Sequence, residues 1–258
     1  MLELNASDKI DGVFYLTTAT PEVFEEKEYI SVRKTEERFY PDSIVKYLPS
    51  IEPGHSHADE WLVRKKSFEK LLQYIQGKNY QVILEVGCGN GWLSNRIASK
   101  TDCLVVGLDL NQVELKQAAR VFGNSTKLRF VYGNIFEKIF PLEVFDIIIF
   151  ASSIQYFRNL YEVILAAFRF LKPNGEIHII DSKFYNMNEV EAARKRTENY
   201  YCKLGFPDMA KSYFHHSWEE FNGIKYHIIN LWSYNFYKKT RFLNKFRMAL
   251  FPWIRVTK

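Results

Sequence analysis

The chain has 258 residues, of which 47% are hydrophobic and 25% charged, so it is long enough for a globular domain with a sizeable core. The formal net charge is +5, and the three cysteines show no metal-ligand spacing, which argues against a disulfide framework. We expect no signal peptide and no membrane-spanning helix, because the N-terminus lacks a basic and apolar leader and no apolar run reaches ~20 residues. These features together predict a cytoplasmic location.

Residues 1–80 are rich in charge and helix signals, and they are predicted to form an N-terminal helical lid or cap. Thr20 and Pro21 resemble a helix start with proline at the first helical position. A longer helix is predicted from Asp59, with apolar residues at helical spacing and a stop signal at Gly77.

The second predicted region, residues 81–258, begins with alternating strands and helices, which is typical of right-handed crossovers and a mainly parallel sheet. This pattern predicts a doubly wound α/β fold. The predicted strands are Gln81–Val86, Cys103–Asp109, Lys127–Tyr132, Phe145–Phe150 and Glu176–Asp181. The predicted helices are Gly91–Ser99, Gln112–Val121 and Leu160–Leu171, the last ended by Pro173-Asn174-Gly175.

The C-terminal part is predicted to add a helix over Val190–Leu204 and strands over Lys225–Asn235 and Phe251–Thr257. The stretch from Phe221 to Lys258 contains basic residues but no Asp or Glu. Three interpretations remain open, in decreasing order of preference: a strand pair with a helix packed on the sheet, an interfacial helix that gives peripheral contact with an anionic membrane, or a nucleic-acid groove.

The sharpest motif is the glycine pattern Gly87-x-Gly89-x-Gly91, which lies between a predicted strand and a predicted helix. Glycine permits a tight turn and close approach of a ligand, and the helix start offers free N–H groups. Asp109 ends the next strand 22 positions after Gly87, where a carboxylate can accept both hydroxyls of a ribose.

Glu85 to Gly91, together with Asp109, resembles the class I S-adenosylmethionine (SAM)-dependent methyltransferases. Dinucleotide oxidoreductases usually carry a third glycine one position later, where this chain has Trp92. Further segments are similar to family motifs, and the resemblance covers about residues 60–182. These segments are Gly133-Asn134-Ile135, Phe145 to Ser153 and Leu171 to Glu176.

The resemblance implies a seven-stranded, Rossmann-like sheet with an antiparallel last strand, and SAM as cofactor. It also implies roles for individual residues: the glycine loop under the methionine part, Asp109 at the ribose, and Asn134 near the adenine in place of the family's usual acidic residue. Arg64 could reach the SAM carboxylate, although a solvated helix face is the alternative. The residues expected to bind the cofactor are Glu85, Gly87, Cys88, Gly89, Gly91, Asp109, Leu110, Asn134, Ile135, Ala151 and Arg64.

The segment after the fourth strand, Ala151 to Tyr156, lacks the Asn/Asp-Pro-Pro-Tyr/Phe and Pro-Cys signatures of many base and amide methylases. These absences disfavour a nucleic-acid acceptor and favour a small-molecule acceptor. Tyr156 would lie at the pocket mouth and is a candidate catalytic residue. His215 and His216 are candidate bases near neutral pH, with a structural role as the alternative. The sequence shows no metal site.

The sequence therefore predicts a SAM-dependent methyltransferase that acts on an O, N or C atom of a small molecule. Two alternatives remain: a protein or RNA methyltransferase that uses the basic C-terminal segment, and a non-catalytic SAM-binding regulatory module. A nicotinamide oxidoreductase is disfavoured by Trp92. The sequence predicts no oligomeric state.

Overall fold

The computed structural model describes residues 8–17, 26–229 and 251–258. The predicted helix start at Thr20-Pro21 and residues 230–250 of the basic C-terminal segment lie outside the described residues. The strands are β1 (Lys9–Ile10), β2 (Val13–Tyr15), β3 (Val82–Val86), β4 (Leu104–Asp109), β5 (Leu128–Tyr132), β6 (Phe145–Ala151), β7 (Leu171–Ile180), β8 (Tyr226–Ile228) and β9 (Ile254–Thr257). The α-helices are α1 (Glu26–Thr35), α2 (Asp42–Val45), α3 (Ala58–Gln76), α4 (Trp92–Lys100), α5 (Gln112–Phe122), α6 (Leu160–Phe170) and α7 (Met187–Leu204).

The strands form one sheet in the order β1-β2-β5-β4-β3-β6-β7-β9-β8. The pairings from β2 through β7 are parallel, and β9 is antiparallel to β7. The predicted α/β class, the mainly parallel sheet and the antiparallel last strand are therefore confirmed.

The sheet has nine strands among the described residues instead of the seven implied by the resemblance. The difference includes the N-terminal hairpin, in which Val13 pairs with Phe130 of β5 and Ile10 pairs back with Val13. The start of the chain thus extends the sheet edge, while α1, α2 and α3 account for the helical part of residues 1–80.

Alternate residues of the central strands face opposite layers of the core, as the period-two geometry of a strand requires. Ile83 packs in the layer that contains α3, α4 and α5, whereas the next residue, Leu84, packs in the layer that contains α6. Both side chains are fully buried. The sheet is therefore covered on both faces, which defines the doubly wound architecture.

The segment Pro173-Asn174-Gly175 is a bulge and not the predicted helix-to-strand turn. Strand β7 begins directly at Leu171, which pairs with Phe145, and the register then jumps so that Ile147 pairs with Glu176. The intervening residues leave the ladder, so the proline needs no strand partner for its missing N–H.

Strand β3 lies between β4 and β6, so the chain order reverses at β3. Crossovers leave β3 toward both sides, and a crevice forms outside the carboxyl ends of these strands. The glycine loop follows β3, Asp109 ends β4 and Ala151 ends β6, so all three reach this crevice. In the described parts of the chain, no helix combines the length and hydropathy that crossing a bilayer requires.

Candidate active site

A cavity of about 910 Å³ opens at the carboxyl edge of the sheet. Its volume lies near the upper end of the ~300–1,000 Å³ range of ligand pockets, which leaves room for two ligands side by side. It brings together most of the residues expected to bind the cofactor: Glu85, Gly87, Cys88, Gly89, Asp109, Leu110, Asn134, Ile135, Ala151 and Arg64.

Gly91 lies outside the cavity wall and serves packing. It caps the N-terminus of α4 with φ 72°, in the left-handed region. A Cβ at this position would lie 2.5 Å from a ring carbon of Phe130, which is buried. Gly91 therefore lets the loop turn close to the core, while its neighbours contact the cavity.

Gly89 carries the loop along the cavity and is held there by Asp109. Its backbone has φ 50°, and its N–H donates to Oδ2 of Asp109 at 2.7 Å. The N–H of Asn111 donates to Oδ1 at 2.8 Å. The backbone of Leu110 also donates to this carboxylate, and since an ionised carboxylate offers about four acceptor positions, about one position stays available for a ribose hydroxyl. Burial raises the pKa of Asp109, against the opposing effect of these backbone donors.

Two further carboxyl groups lie in the same wall. Glu85 is 2% exposed and accepts a hydrogen bond from the hydroxyl of Ser94. Burial raises the pKa of Glu85 to about 8. Glu114 is 8% exposed, and burial followed by the charge of Asp109 raises its pKa to about 7. The cavity therefore holds acidic groups that a cationic ligand would bring into their ionised forms.

Sequence reasoning missed Glu114, although a signal for it was present. Asn111 caps α5, and its side chain accepts from the N–H of Glu114 at 2.9 Å. An Asn followed three positions later by Glu is a recognised helix-start pattern. Directly after Asp109, this pattern places Glu114 on the first turn of α5, beside the glycine loop.

Arg64 projects from α3 into the cavity wall, as the cofactor prediction required. Its Nε donates to Glu60 at 3.1 Å, and a terminal nitrogen donates to the hydroxyl of Ser152 at 3.2 Å. Its guanidinium also lies 5.3 Å from the ring centre of Trp61. The Arg64 side chain is only 17% exposed, so it is a positioned cation and not a solvated one.

Aromatic and basic residues form the other side of the cavity, which we call the tyrosine chamber: Tyr29, Arg33, Tyr156, Tyr200, Tyr201 and Tyr213. The ring of Tyr156 meets those of Tyr29 and Tyr213 edge to face, at 5.8 Å in both cases. Burial raises the pKa of Tyr156, so its phenol stays neutral and can donate or accept a hydrogen bond.

His215 and His216, the other two predicted catalytic residues, do not line the cavity. His216 is 2% exposed, with Nδ1 at 2.9 Å from Glu220 and Nε2 at 3.1 Å from the carbonyl of Ile154. His215 contacts the hydroxyl of Thr197 at 2.9 Å, and burial lowers its pKa to about 4. Both rings are engaged in protein contacts, so the geometry favours the structural alternative for them. Within the described residues no group of His, Cys, Asp and Glu side chains is placed to hold a metal ion.

The family model "Methyltransferase domain" matches residues 77–241, which is more than half of the chain. Sterol 24-C-methyltransferase of Aspergillus fumigatus is 36% identical over 96 residues, covering 36% of this chain and 26% of that protein. The 27-O-demethylrifamycin SV methyltransferase of Amycolatopsis mediterranei is 28% identical over 102 residues, covering 38% of each chain. This chain therefore spans well under half the length of these curated relatives.

A solved structure with a similar fold is that of the plantazolicin methyltransferase BpumL, in complex with S-adenosylhomocysteine (SAH) and a monoazolic desmethyl analogue. It superposes with a TM-score of 0.56 at 17% sequence identity, over 90% of this chain and 93% of that one.

Proposed function

The chain belongs to the methyltransferase domain family, and on this premise we propose that it transfers the methyl group of SAM to a small-molecule acceptor. Membership confirms the predicted resemblance to the class I SAM-dependent methyltransferases. The observation that carries the proposal is one cavity with two different halves: a cofactor wall at the ends of β3, β4 and β6, and the tyrosine chamber beside it.

The residues of the cofactor wall fit SAM. Asp109 retains acceptor capacity for a ribose hydroxyl, and Gly89 brings backbone to the cavity surface without a side chain. Arg64 would pair with the carboxylate of the cofactor, and Glu85 would meet its amino group. Asn134, Ile135 and Leu110 supply a polar and apolar border for the adenine.

When bound, SAM supplies a methyl group on a positively charged sulfur that is already activated for attack. The protein's contribution is to align the acceptor with this methyl group and to exclude water, which is worth several kcal/mol. Tyr156 stands where the cofactor wall meets the tyrosine chamber, and its neutral phenol can orient an attacking atom through a hydrogen bond. A proton acceptor is needed only if the attacking atom carries a proton that must leave.

A small acceptor is supported by the shape of the chamber, which α1, α7 and the turn Ile154–Tyr156 surround with side chains. Such a concave wall suits a compact ligand better than a duplex or a folded protein. The relatives point the same way, since the names of two of them refer to a sterol and a rifamycin derivative, which are both small molecules. The alternatives that depend on the basic C-terminal segment rest mainly on residues 230–250, which lie outside the described ones.

Methyl transfer itself is the test of this proposal. The purified protein is incubated with SAM labelled in the methyl group and with fractionated small-molecule extracts, and products are detected by mass spectrometry. Label in an extract component, abolished by Asp109→Asn, is the expected result. SAM binding with no labelled product across the extracts would instead favour the regulatory SAM-binding module.

A further inference from the structure

Arg33 is a half-buried cation whose guanidinium the protein leaves partly without acceptors. It projects from α1 into the tyrosine chamber, and its Nε is buried without a hydrogen-bond partner. Among the described residues its ion-pair partner is Glu36, which accepts from a terminal nitrogen of Arg33 at 3.3 Å. Because a buried N–H without an acceptor costs roughly 1–3 kcal/mol, such a group indicates an acceptor that arrives with a ligand.

Glu36 is shared by other donors and cannot fully compensate Arg33. Tyr200 donates to Glu36 at 2.6 Å, and Arg38 lies 3.6 Å from the same carboxylate. Arg38 also pairs with Glu60, which in turn pairs with Arg64 at 3.0 Å. In this chain of contacts three arginines share two glutamates, with Arg64 at the end toward the cofactor and Arg33 at the end toward the tyrosine chamber.

The remaining acidic groups that act on Arg33 lie toward the cofactor. Glu114 influences Arg33 electrostatically, and Asp109 lies beyond it in the cofactor wall. The sulfonium and amino group of SAM would engage these carboxyl groups. Arg33 would then keep its Nε without a protein acceptor at the start of the chamber.

The surroundings of Arg33 suit an anion attached to a planar or apolar body. Its guanidinium lies 5.5 Å from the ring centre of Tyr29, so it covers the aromatic face that a cationic ligand would need. Tyr156 and Tyr213 present further ring edges to the chamber. Burial raises the pKa of Tyr213, so its phenol stays a neutral donor.

We propose that the tyrosine chamber selects an acceptor that carries an oxyanion, either a carboxylate or a phosphate. Arg33 binds the oxyanion through Nε and a terminal nitrogen, and the tyrosines pack against the body of the molecule. This inference rests on the proposed function and adds the substrate class, with Arg33 as the specificity-determining residue.

The test measures binding to the full chain saturated with SAH, whose own binding is established first by titration calorimetry. The probes share one body and differ in one group: 3-phenylpropanoate, 3-phenylpropanamide and 3-phenylpropylammonium, with phenyl phosphate as the phosphate arm. The variants are Arg33→Gln, Arg33→Lys and the control Arg194→Gln, which removes an exposed arginine of α7 that pairs with Glu191 at 3.8 Å. Thermal denaturation verifies that each variant is folded.

We expect at least one oxyanion probe to bind ~10-fold or more tightly than the amide, with the difference lost in Arg33→Gln and kept in Arg194→Gln. Arg33→Lys keeps the charge but not the paired donors, so it should retain part of the preference and rescue the result if Arg33→Gln is unfolded. Equal affinity for acid and amide, a preference for the ammonium probe, unchanged oxyanion affinity in both Arg33 variants, or no binding by any probe would overturn the inference. If SAH itself does not bind, the proposed function is wrong. If SAH binds but the oxyanion preference is missing, only the inference about the substrate class is wrong.

Discussion

The acidic groups of the cofactor wall predict a steep pH dependence of SAM affinity. The pKa of Glu85 is raised to about 8 and that of Glu114 to about 7, in both cases chiefly by burial. In the free protein near pH 6 both groups are therefore mostly protonated. A cationic cofactor favours their ionised forms, so binding releases protons and affinity increases as pH rises toward these values.

The magnitude follows from the ionised fractions. Between pH 6 and pH 7.5 the ionised fraction rises about 20-fold for a group of pKa 8 and about 8-fold for a group of pKa 7. If SAM requires both carboxylates, its affinity increases by the product, on the order of 200-fold. Glu114→Gln removes one ionisation and leaves only the ~20-fold dependence of Glu85.

The assay is titration calorimetry of SAM at several pH values in this window, in two buffers with different ionisation enthalpies. At the upper limit an α-amino group of pKa ~7.7–8.0 is still about 60–75% protonated, so deprotonation of the ligand reduces the expected increase in affinity less than twofold. The difference between buffers counts the protons released: close to two near pH 6 for the natural chain, and about one fewer for Glu114→Gln. An affinity that does not change with pH would show that the ionisation of Glu85 and Glu114 does not control SAM binding. The same pH dependence in Glu114→Gln as in the natural chain would exclude Glu114.

Three further predictions concern single positions. Gly91→Ala should lower the melting temperature strongly, because its Cβ would overlap the core. Gly89→Ala should cost only ~1–2 kcal/mol of stability from its left-handed backbone, but it should weaken SAM binding more than Gly91→Ala does. The reverse ranking in thermal melts and calorimetry would contradict the roles given to the two glycines. His216→Ala should lower the free energy of unfolding by ~1–3 kcal/mol through lost buried hydrogen bonds. Neither His215→Ala nor His216→Ala should change SAM affinity. A loss of turnover in either variant, if it is folded, would restore the catalytic interpretation. Arg64→Met should weaken SAM about 10- to 150-fold by removing a charge-assisted hydrogen bond, and an unchanged Kd would place this arginine in a purely structural role.

The cofactor side of the site could be predicted from sequence because its parts are local. The glycine loop and the end of β4 follow buried strands whose carboxyl ends meet at one sheet edge, so Gly89 and Asp109 were placed by topology alone. Gly91 shows the limit of such reasoning, since its role in packing depends on Phe130 from another strand.

The acceptor side could not be predicted in the same way. The tyrosine chamber joins Tyr29 and Arg33 of α1 with Tyr201 of α7, and no sequence pattern fixes how helices so far apart in the chain meet. The N-terminal strands β1 and β2 have only two and three residues, too few for an alternating pattern to stand out. Their position depends on the open edge of β5, which is a tertiary property.

That the cavity binds SAM is tested by titration of the purified chain with SAM. NAD is the comparison ligand, and Asp109→Asn is the comparison variant. We expect micromolar SAM binding and no measurable NAD binding. Affinity should fall in the variant, because its side chain no longer offers a charged acceptor to the ribose. Absence of SAM binding, or tighter binding of NAD than of SAM, would show that this cavity is not a SAM site.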